Sequence, residues 1–462
     1  MVEMSESEVI HQRRSLIHER RQSAKAHPTE RRLLMYSDSS TNDLYVVIDF
    51  GKNVNWYSAW ADAGLQQVWP EREVHNPRQG YAQFVQDLGQ AAASGGYGSI
   101  QVGYEPTGIY HEAWIQTLLV DLDGPVRVRQ IHPATSAAKR QERQRGRQRK
   151  TDPKDLEALA YCLRDGLSSP APRLTVEDLR FEVWTSRYEQ LLVEQARQKQ
   201  RLGAQLDRLW PGMLIDVKRF TQAHPTLAVP EPLLRSRPWE RALLRAMVLQ
   251  RPNPQDWTSL SPAQIQAFVR QHTGRCGPKT VAKIQQVLVR GLYLASEMAA
   301  LLAERLRQDF CAYLALETRL KQLAQEAEAL VAHSQAAVLT TIPGMSATLA
   351  ARYTGHVGSI GRFTSAAQVW AFAGFEPTVN ESGDHRGQVE ISHKGAPSFR
   401  DTLYLMGFHT RKHCPAIGRA YQKALRRGKG AVGAVIHAAH KANRMCFHLY
   451  TTQQPYDPQR AA

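Results

Sequence analysis

The amino-acid sequence predicts three parts in order along the chain: an α/β domain, a long helical segment and a mainly helical C-terminal domain. Short apolar runs alternate with amphipathic patterns from Leu44 to Ile131, which is typical of helices that cover a mixed sheet. Two long stretches of apolar residues at 3,4 spacing follow, and helical patterns then continue to about Tyr450. A chain of 462 residues also exceeds one ordinary domain. We expect a flexible arm over residues 1–40, an α/β domain over 41–170, a helical connector over 171–335 and a C-terminal domain over 336–462.

Five strands are predicted in the α/β domain. Leu44–Asp49 is a continuous apolar run that ends in an acid, as a strand buried on both faces would. Asn55–Trp60 and Gln66–Trp69 are short and rich in aromatic residues. Ser99–Glu105 again ends in an acid, and Val126–Ile131 is the last strand. Their order suggests a mixed sheet with helices packed on it.

Two amphipathic helices separate the later strands of this domain. The first has apolar residues at positions i, i+3, i+4 and i+7 and is closed by two glycines. The second carries Trp114, Ile115, Leu118, Leu119 and Leu122. In the connector, a first apolar stripe contains Tyr188, Leu192, Leu202, Leu206 and Leu209. A second contains Tyr313, Leu316, Leu320, Leu323, Ala327 and Leu330, and we interpret the pair as a coiled-coil stalk or a dimer seam.

Positive charge is the strongest compositional signal. Lys and Arg number 59 against 43 Asp and Glu, a net charge of +16, which favours a polyanionic partner over cationic substrates. Residues 401–462 contain ten Lys or Arg against two Asp. Residues 139–150 contain seven basic residues and one acid. We predict nucleic-acid contacts at Lys139, Arg140, Arg143, Arg145, Arg147, Arg149 and Lys150.

Other compositional features point to the cytoplasm. Five cysteines form no paired short spacing, so neither a disulfide framework nor a CxxC zinc site is supported. The first forty residues lack the apolar core of a signal peptide, and no apolar run is long enough to span a membrane. We therefore expect no membrane partner.

Four carboxylates occupy positions that suit a metal site. Asp49 and Glu105 each end a predicted strand, and Asp152 and Asp155 open a predicted helix. Strand ends at one edge of a sheet lie close together, so these groups could converge on Mg²⁺ for phosphoryl-transfer chemistry. The segment from Asp152 to Asp155 is equally typical of a capped helix start, with Pro153 at the first helical position. Both interpretations remain open on these residues alone.

A serine loop and a glycine turn mark the C-terminal part. Ser382 and Ser392 lie in a glycine-framed stretch rich in cations, where a serine could attack a phosphodiester; an ordinary Ser-Gly turn is the alternative. The turn at Gly344 precedes a helix whose N–H groups could meet a DNA phosphate, and a plain helical hairpin is the alternative. Lys394 and Arg400 complete the predicted nucleic-acid contacts. A partial match to the sequence of this turn occurs in GRCGPKTVAKI, residues 274–284.

The order and spacing of several motifs resemble the DEDD-type transposases of bacterial insertion sequences, the IS110 family, which has relatives among the Piv-like DNA invertases. The N-terminal motifs are VVIDFGK, YEPTGIYHEAW, HPATSAAKRQ and KTDPKDLEALA, and the C-terminal part runs from TIPGMSATLAARY through NESGDHRGQ to ISHKGAPSFRDTLY. The resemblance covers the chain from about Leu44 to Leu449.

The resemblance implies a fold and a mechanism. It implies an N-terminal domain of RNase H-like fold, similar to the RuvC resolvase, whose DEDD tetrad would be Asp49, Glu105, Asp152 and Asp155 holding Mg²⁺. It also implies that Ser382, in the NESG motif, forms a phosphoserine intermediate with DNA. Family members use a structured noncoding guide RNA that pairs with donor and target DNA, and another subunit completes the site. A homo-oligomer, dimer or tetramer, in the bacterial cytoplasm and associated with the nucleoid would follow.

The sequence departs from the family pattern in two places. Glu381 stands before Ser382 where many relatives have a second serine, so Ser382 is the first candidate nucleophile and Ser392 the second. Residues 225–294 are absent from compact relatives, and no role can be carried over to them. Two rival functions remain: a RuvC-like endonuclease that uses the tetrad and water, and a non-catalytic nucleic-acid-binding protein. Neither the target sequence nor the activity of the element is readable from the sequence.

Overall fold

The protein is described here by a computed structural model. It describes residues 42–61, 64–75, 78–94, 96–106, 108–121, 126–144, 152–228, 231–234, 238–379, 389–391 and 395–460, with the backbone alone at 143–144, 152–154, 377–379 and 389–391. The chain divides into two compact units, one ending at Arg173 and the other beginning at Leu174. The N-terminal unit contains the sheet, and the C-terminal unit is mostly helical.

The N-terminal unit alternates strands and helices. Its strands are β1 (Asp43–Phe50), β2 (Val54–Ala61), β3 (Gln66–His75), β4 (Ser99–Tyr104), β5 (Val126–Gln130) and β6 (Ser169–Pro170). Its helices are α1 (Arg78–Ala93), α2 (Glu112–Asp121), α3 (Pro133–Gln144) and α4 (Asp152–Arg164). The predicted α/β class of this part is confirmed, and the five predicted strands are β1 to β5.

The six strands form one mixed sheet in the order β3-β2-β1-β4-β5-β6. β1 runs antiparallel to β2 and parallel to β4, and β4 runs parallel to β5. β3 is longer than the predicted Gln66–Trp69 and includes Pro70. An edge strand tolerates proline because one of its sides donates no ladder hydrogen bonds, and most of β3 is exposed.

Separate cores cover the two faces of the sheet. On one face, Ile48 and Tyr104 pack with Phe84 of α1 and Trp114 of α2. On the other face, Tyr45, Val47 and Trp60 pack with Leu156, Leu159 and Leu163 of α4. Burial on both faces explains why β1 is apolar along nearly its whole length.

The C-terminal unit begins with a long helix. Its helices are α5 (Val176–Leu209), α6 (Val217–Ala223), α7 (Ala242–Gln250), α8 (Gln255–Thr258), α9 (Pro262–Thr273), α10 (Pro278–Arg290), α11 (Ser296–Ala332), α12 (Ala347–Val357), α13 (Ala366–Phe372), α14 (Pro397–Thr410), α15 (Pro415–Arg426) and α16 (Ala431–Thr452). Short 3₁₀ turns occur at Pro238–Glu240, Gln335–Thr341 and Ile360–Arg362. Two short strands, β7 (Pro377–Val379) and β8 (Val389–Ile391), pair antiparallel. A helical region therefore follows the sheet unit, as predicted.

The two long helices α5 and α11 pack antiparallel within one chain. Trp184 Nε1 donates to Leu323 O at 3.0 Å, and Gln198 Nε2 donates to Asp309 O at 2.9 Å, so the residue numbers run in opposite directions along the contact. A capping box between Thr175 and Asp178 starts α5. The two predicted apolar stripes thus face each other in the same molecule.

Each end of this helix pair carries a separate core. At the end near Trp184, the pair packs with α12, α14 and α16. At the other end, α5 and α11 pack with the helices of residues 242–290. In the part of the chain that the structure describes, no helix is long and apolar enough to cross a membrane.

Candidate active site

The first two predicted carboxylates lie at the same edge of the sheet. The parallel β1–β4 ladder ends on the pair Ile48 and Tyr104. Asp49 and Glu105 are the next residue on each strand, so neighbouring strands deliver them side by side. Both are half-buried.

Both carboxylates belong to the face that α4 covers. Asp49 pairs across β1–β2 with Trp56, whose side chain packs against the core of the α4 face. Two residues before Glu105, a Cβ on Gly103 would lie 2.6 Å from Leu163 Cδ1 of α4. Because side chains alternate along a strand, Glu105 points to the same side as that missing Cβ.

Asp155 lies on α4 itself and has a cationic partner. Its carboxylate is 5% exposed, and Arg140 Nη1 of α3 approaches Oδ1 at 2.9 Å. That approach is not aligned as a hydrogen bond, and among the described residues Oδ1 accepts none. Asp152 opens α4 as predicted, and its side chain is outside the described part.

Helix α3 also supplies partners to Glu105 and Asp165. The Ser136 hydroxyl is fully buried and donates to Glu105 Oε2 at 2.5 Å. Lys139 Nζ contacts Asp165 at 2.8 Å and Glu142 at 2.9 Å. Asp165 and Glu142 raise the pKa of Lys139 above its ordinary value, since hydrogen bonds and charge favour the ammonium form.

The sequence patterns missed Ser136 and Cys162. Ser136 belongs to the HPATSAAKRQ motif, and only the packing of α3 shows that it holds Glu105. Burial raises the pKa of the Cys162 thiol to about 11, and the charges of Lys139, Asp165, Glu105 and Arg140 also act on it. The sulfur is therefore a neutral core group beside the carboxylates and not a nucleophile.

The described carboxylates are not gathered into a metal-binding cluster. Among the residues with described side chains, no three His, Cys, Asp or Glu groups are close enough to hold a metal ion together. Each of Glu105 and Asp155 is instead held by a partner from α3. The donor set nevertheless suits Mg²⁺, because it consists of hard carboxylate oxygens on one face of the sheet, and Asp155 Oδ1 is buried without a hydrogen bond.

Two predicted residues of the C-terminal unit have structural roles. Gly344 has φ +86° in the turn before α12, and the Ser346 hydroxyl accepts from Leu349 N at 3.3 Å to cap that helix. Arg400 Nη1 donates to Gly395 O at 2.6 Å and to Ala373 O at 3.2 Å. Their contact with nucleic acid stays a prediction.

The other C-terminal candidates lie outside the described residues. These are Ser382, Ser392 and Lys394. The backbone pairing of Val379 with Val389 brackets the chain segment that contains Ser382. Of the predicted basic run, Arg145, Arg147, Arg149 and Lys150 also lie outside, and only the backbone of Arg143 is described.

A buried ion-pair network joins three helices of the C-terminal unit. Arg352 of α12 is 3% exposed; its Nη2 lies 3.1 Å from Glu189 Oε1 of α5 and 3.2 Å from Asp401 Oδ2 of α14. His356 Nε2 is 2.8 Å from the same Glu189 oxygen. Burial disfavours the ionised form of Glu189, but the hydrogen bond with His356 and the charges of His356 and Arg352 outweigh it and lower its pKa.

Two family models match the chain. Residues 46–211 match the transposase model of the DEDD type from IS110 elements. Residues 336–422 match the transposase model of the IS116/IS110/IS902 family. The first segment contains all four predicted carboxylates, and the second contains Gly344, Ser382 and Ser392. No curated protein matches the chain.

A mixed α/β sheet unit with acids at the ends of neighbouring strands is followed by a helical unit, and both parts match transposase families, which supports an enzyme that acts on DNA. Its class is that of DNA transposition and recombination. Within that class, the two matched segments are similar to the IS110-family transposases.

Proposed function

We propose that this transposase moves its insertion sequence through a composite site built from the carboxylates and Ser382. In the sheet unit, Asp49, Glu105, Asp152 and Asp155 would hold Mg²⁺. The observation that carries this proposal is the delivery of Asp49, Glu105 and Asp155 to the α4 face of the sheet. The strand order β3-β2-β1-β4-β5 is what an RNase H-like, RuvC-like fold requires and supports that interpretation.

The chain's own residues prepare the carboxylates for this role. Ser136 orients Glu105, and Arg140 compensates the buried charge of Asp155. Mg²⁺, when bound, supplies activation of an attacking oxygen and stabilisation of a leaving one. A net charge of +16 offsets the repulsion between an acidic site and a phosphate backbone.

Ser382 would be the nucleophile toward DNA. Its Oγ attacks a phosphorus atom, an Oγ–P bond forms, the P–O bond to one deoxyribose oxygen breaks, and that oxygen takes up a proton. The serine proton passes to a base. Attack by the hydroxyl of the incoming strand then breaks the Oγ–P bond, joins the new DNA strand and restores the serine. Water does not hydrolyse the phosphoserine in this exchange, so the energy of the phosphodiester bond is conserved.

We further propose that a structured noncoding RNA guides the enzyme to donor and target DNA, and that a homo-oligomer assembles the active site from two subunits. A guide would supply sequence specificity while the protein binds phosphates. Because the substrate is DNA, the enzyme would work in the cytoplasm and act at the nucleoid.

Trapping of covalent adducts tests the nucleophile. The enzyme is expressed with a plasmid that carries its element, and protein-linked DNA is collected under denaturing conditions. We expect wild-type protein to give adducts, Ser382→Ala to give none, and Ser392→Ala to give them as wild type does. Asp155→Asn should abolish strand exchange with the fold retained.

Other outcomes identify the rivals. Adducts from Ser382→Ala would move the nucleophile elsewhere. Free phosphate ends without attached protein would indicate a RuvC-like endonuclease that uses water. Nucleic-acid binding with no DNA cleavage, with or without EDTA, would indicate a non-catalytic binding protein.

A further inference from the structure

The described residues of 225–294, the insertion that compact relatives lack, form a folded cap on one end of the α5–α11 pair. The insertion contributes Trp257, Val269 and Ile284 to a shared core. These residues pack with Phe310 of α11 and with Trp210, which directly follows α5, and all five are buried. The cap has an apolar core continuous with the stalk. It is therefore a structural element with its own surface and not a loose loop.

That surface is strongly basic. Residues 225–294 contain ten Lys or Arg and three Asp or Glu. Some of the cations have internal partners: Arg245 Nη2 pairs with Glu317 at 2.8 Å, and Lys283 Nζ pairs with Glu231 at 2.8 Å. Arg270, Arg275 and Lys279 differ, because each is exposed and none has an ion pair or side-chain hydrogen bond with any residue that the structure describes.

Arg270 and Arg275 line a cleft, which we call the insertion cleft. It has a volume of about 670 Å³, and its lining also includes Arg241, Thr273, Gly277 and Thr280. Lys279 lies on the same turn, at the second residue of α10. A cleft of this size lined by guanidinium groups suits several phosphates of one chain better than a single small anion.

The turn between α9 and α10 forms one wall of the insertion cleft. Gly274 ends α9 with φ +77°, and the Thr273 hydroxyl donates to Val269 O at 2.9 Å and to Arg275 O at 2.7 Å. Gly277 starts α10, and no side chain caps that start. The positive end of the 13-residue helix α10 therefore opens beside the cations.

Neither backbone strain nor packing explains the glycine at position 277. Its φ of −89° is open to any residue. A Cβ added there would meet no atom within 4 Å. The space beside Gly277 is open, which permits a close approach by a bound backbone.

We propose that the insertion cleft binds the phosphodiester backbone of nucleic acid independently of its sequence. Arg270, Arg275 and Lys279 would contact successive phosphates, and the start of α10 would face one of them across Gly277. The insertion then holds nucleic acid at the tip of the stalk, with residues other than the predicted carboxylates and Ser382. This role does not depend on the proposed chemistry.

Binding by the full-length protein at increasing salt tests the proposal. The probe is a labelled DNA duplex without element sequence, and the pair of substitutions is Arg275→Ala with Lys279→Ala. The logarithm of the association constant falls linearly with the logarithm of the salt concentration. The loss of two phosphate contacts should reduce the steepness of this fall by about 1.8 and weaken binding roughly tenfold. A control pair, Arg319→Ala with Lys321→Ala, removes the same charge from exposed sites on α11 and should leave both values near wild type.

Gly277→Ser separates binding from folding. Serine is a good N-cap, so the urea midpoint should stay at or above that of wild type, while its side chain blocks the approach and weakens binding. Unchanged binding in Gly277→Ser and in the Arg275–Lys279 pair, or an equal loss in the control pair, would overturn the proposal.

Three probes identify the nucleic acid: duplex DNA, single-stranded DNA and an RNA hairpin. The probe with the largest loss in the cleft variants is the one that the insertion holds. No difference from wild type with any of the three contradicts a phosphodiester site. These measurements record binding without strand exchange, so a failed chemical mechanism would leave this test intact.

Discussion

Arg140 stabilises the sheet unit and also holds Asp155, a carboxylate of the candidate active site. The basic run suggested that it contacts nucleic acid, whereas the packing of α3 on α4 places it 2.9 Å from Asp155. A buried carboxylate without a partner is costly, so Arg140 stabilises the unit whenever no cation is bound. We therefore expect Mg²⁺ and Arg140 to compete for Asp155.

Arg140→Gln tests this competition without an activity assay. Loss of the partner of a buried carboxylate should destabilise the protein by about 3 kcal/mol in EDTA. Mg²⁺ should then raise the free energy of unfolding more in Arg140→Gln than in wild type, because the ion no longer displaces a guanidinium. Urea unfolding with and without MgCl₂ measures both effects.

Arg127→Gln is the matched control, since Arg127 is exposed on β5 and its replacement removes the same charge. It should change neither the stability in EDTA nor the response to Mg²⁺. Equal stabilisation of wild type and Arg140→Gln by Mg²⁺ would mean that the guanidinium does not compete.

At the scale of elements, the Arg352 network joins α5, α12 and α14. Helix spacing in the sequence predicts an amphipathic α12 but not a buried arginine, because the acids that neutralise it lie more than 150 residues before and about 50 residues after it along the chain. Such a network stabilises only while its carboxylates are ionised. Its contribution should consequently depend on pH.

Glu189→Gln should cost about 3 kcal/mol at neutral pH, because the buried Arg352 then has Asp401, which is exposed, as its carboxylate partner. The folded-state pKa of Glu189 is lowered, so its contribution is present above the unfolded pKa and lost as the pH falls through the folded value. The stability difference between wild type and variant should narrow in acid. Unfolding curves from neutral pH downward measure it.

Glu328→Gln provides the control, because Glu328 is exposed on α11. It should shift stability by less than about 0.5 kcal/mol at every pH. A difference for Glu189→Gln that stays constant into acid would contradict an ionised Glu189 in the fold.

At the scale of the molecule, the proposed guide RNA and oligomer can be tested together. The protein is purified by gentle lysis, its mass is measured by light scattering, and the attached nucleic acid is sequenced. We expect one discrete RNA and a mass that corresponds to two or four chains plus RNA. Random fragments would remove the support for a guide, and a single-chain mass would remove the support for a two-subunit site.

Local patterns were sufficient for β1 to β5 of the sheet unit, but they did not predict β6 or α3. Alternation and apolar runs predicted β1 to β5 and the acids that end β1 and β4, because burial imposes these patterns on each strand separately. The same patterns assigned these acids to one edge of the sheet, since parallel neighbours end together. The motifs also predicted the similarity to IS110-family transposases.

Tertiary packing decided what the local patterns could not. The sequence does not show that Ser136 and Arg140 hold two of the carboxylates, that the α5 and α11 stripes pair within one chain, or that the insertion presents a cleft lined by Arg270 and Arg275. These contacts join residues far apart in the chain, and their free energy depends on distance and burial. The sequence by itself determined the similarity to DNA transposases and predicted the carboxylates and the serine of the site, and only the fold decided which of the described charges are neutralised, because that depends on contacts between distant parts of the chain.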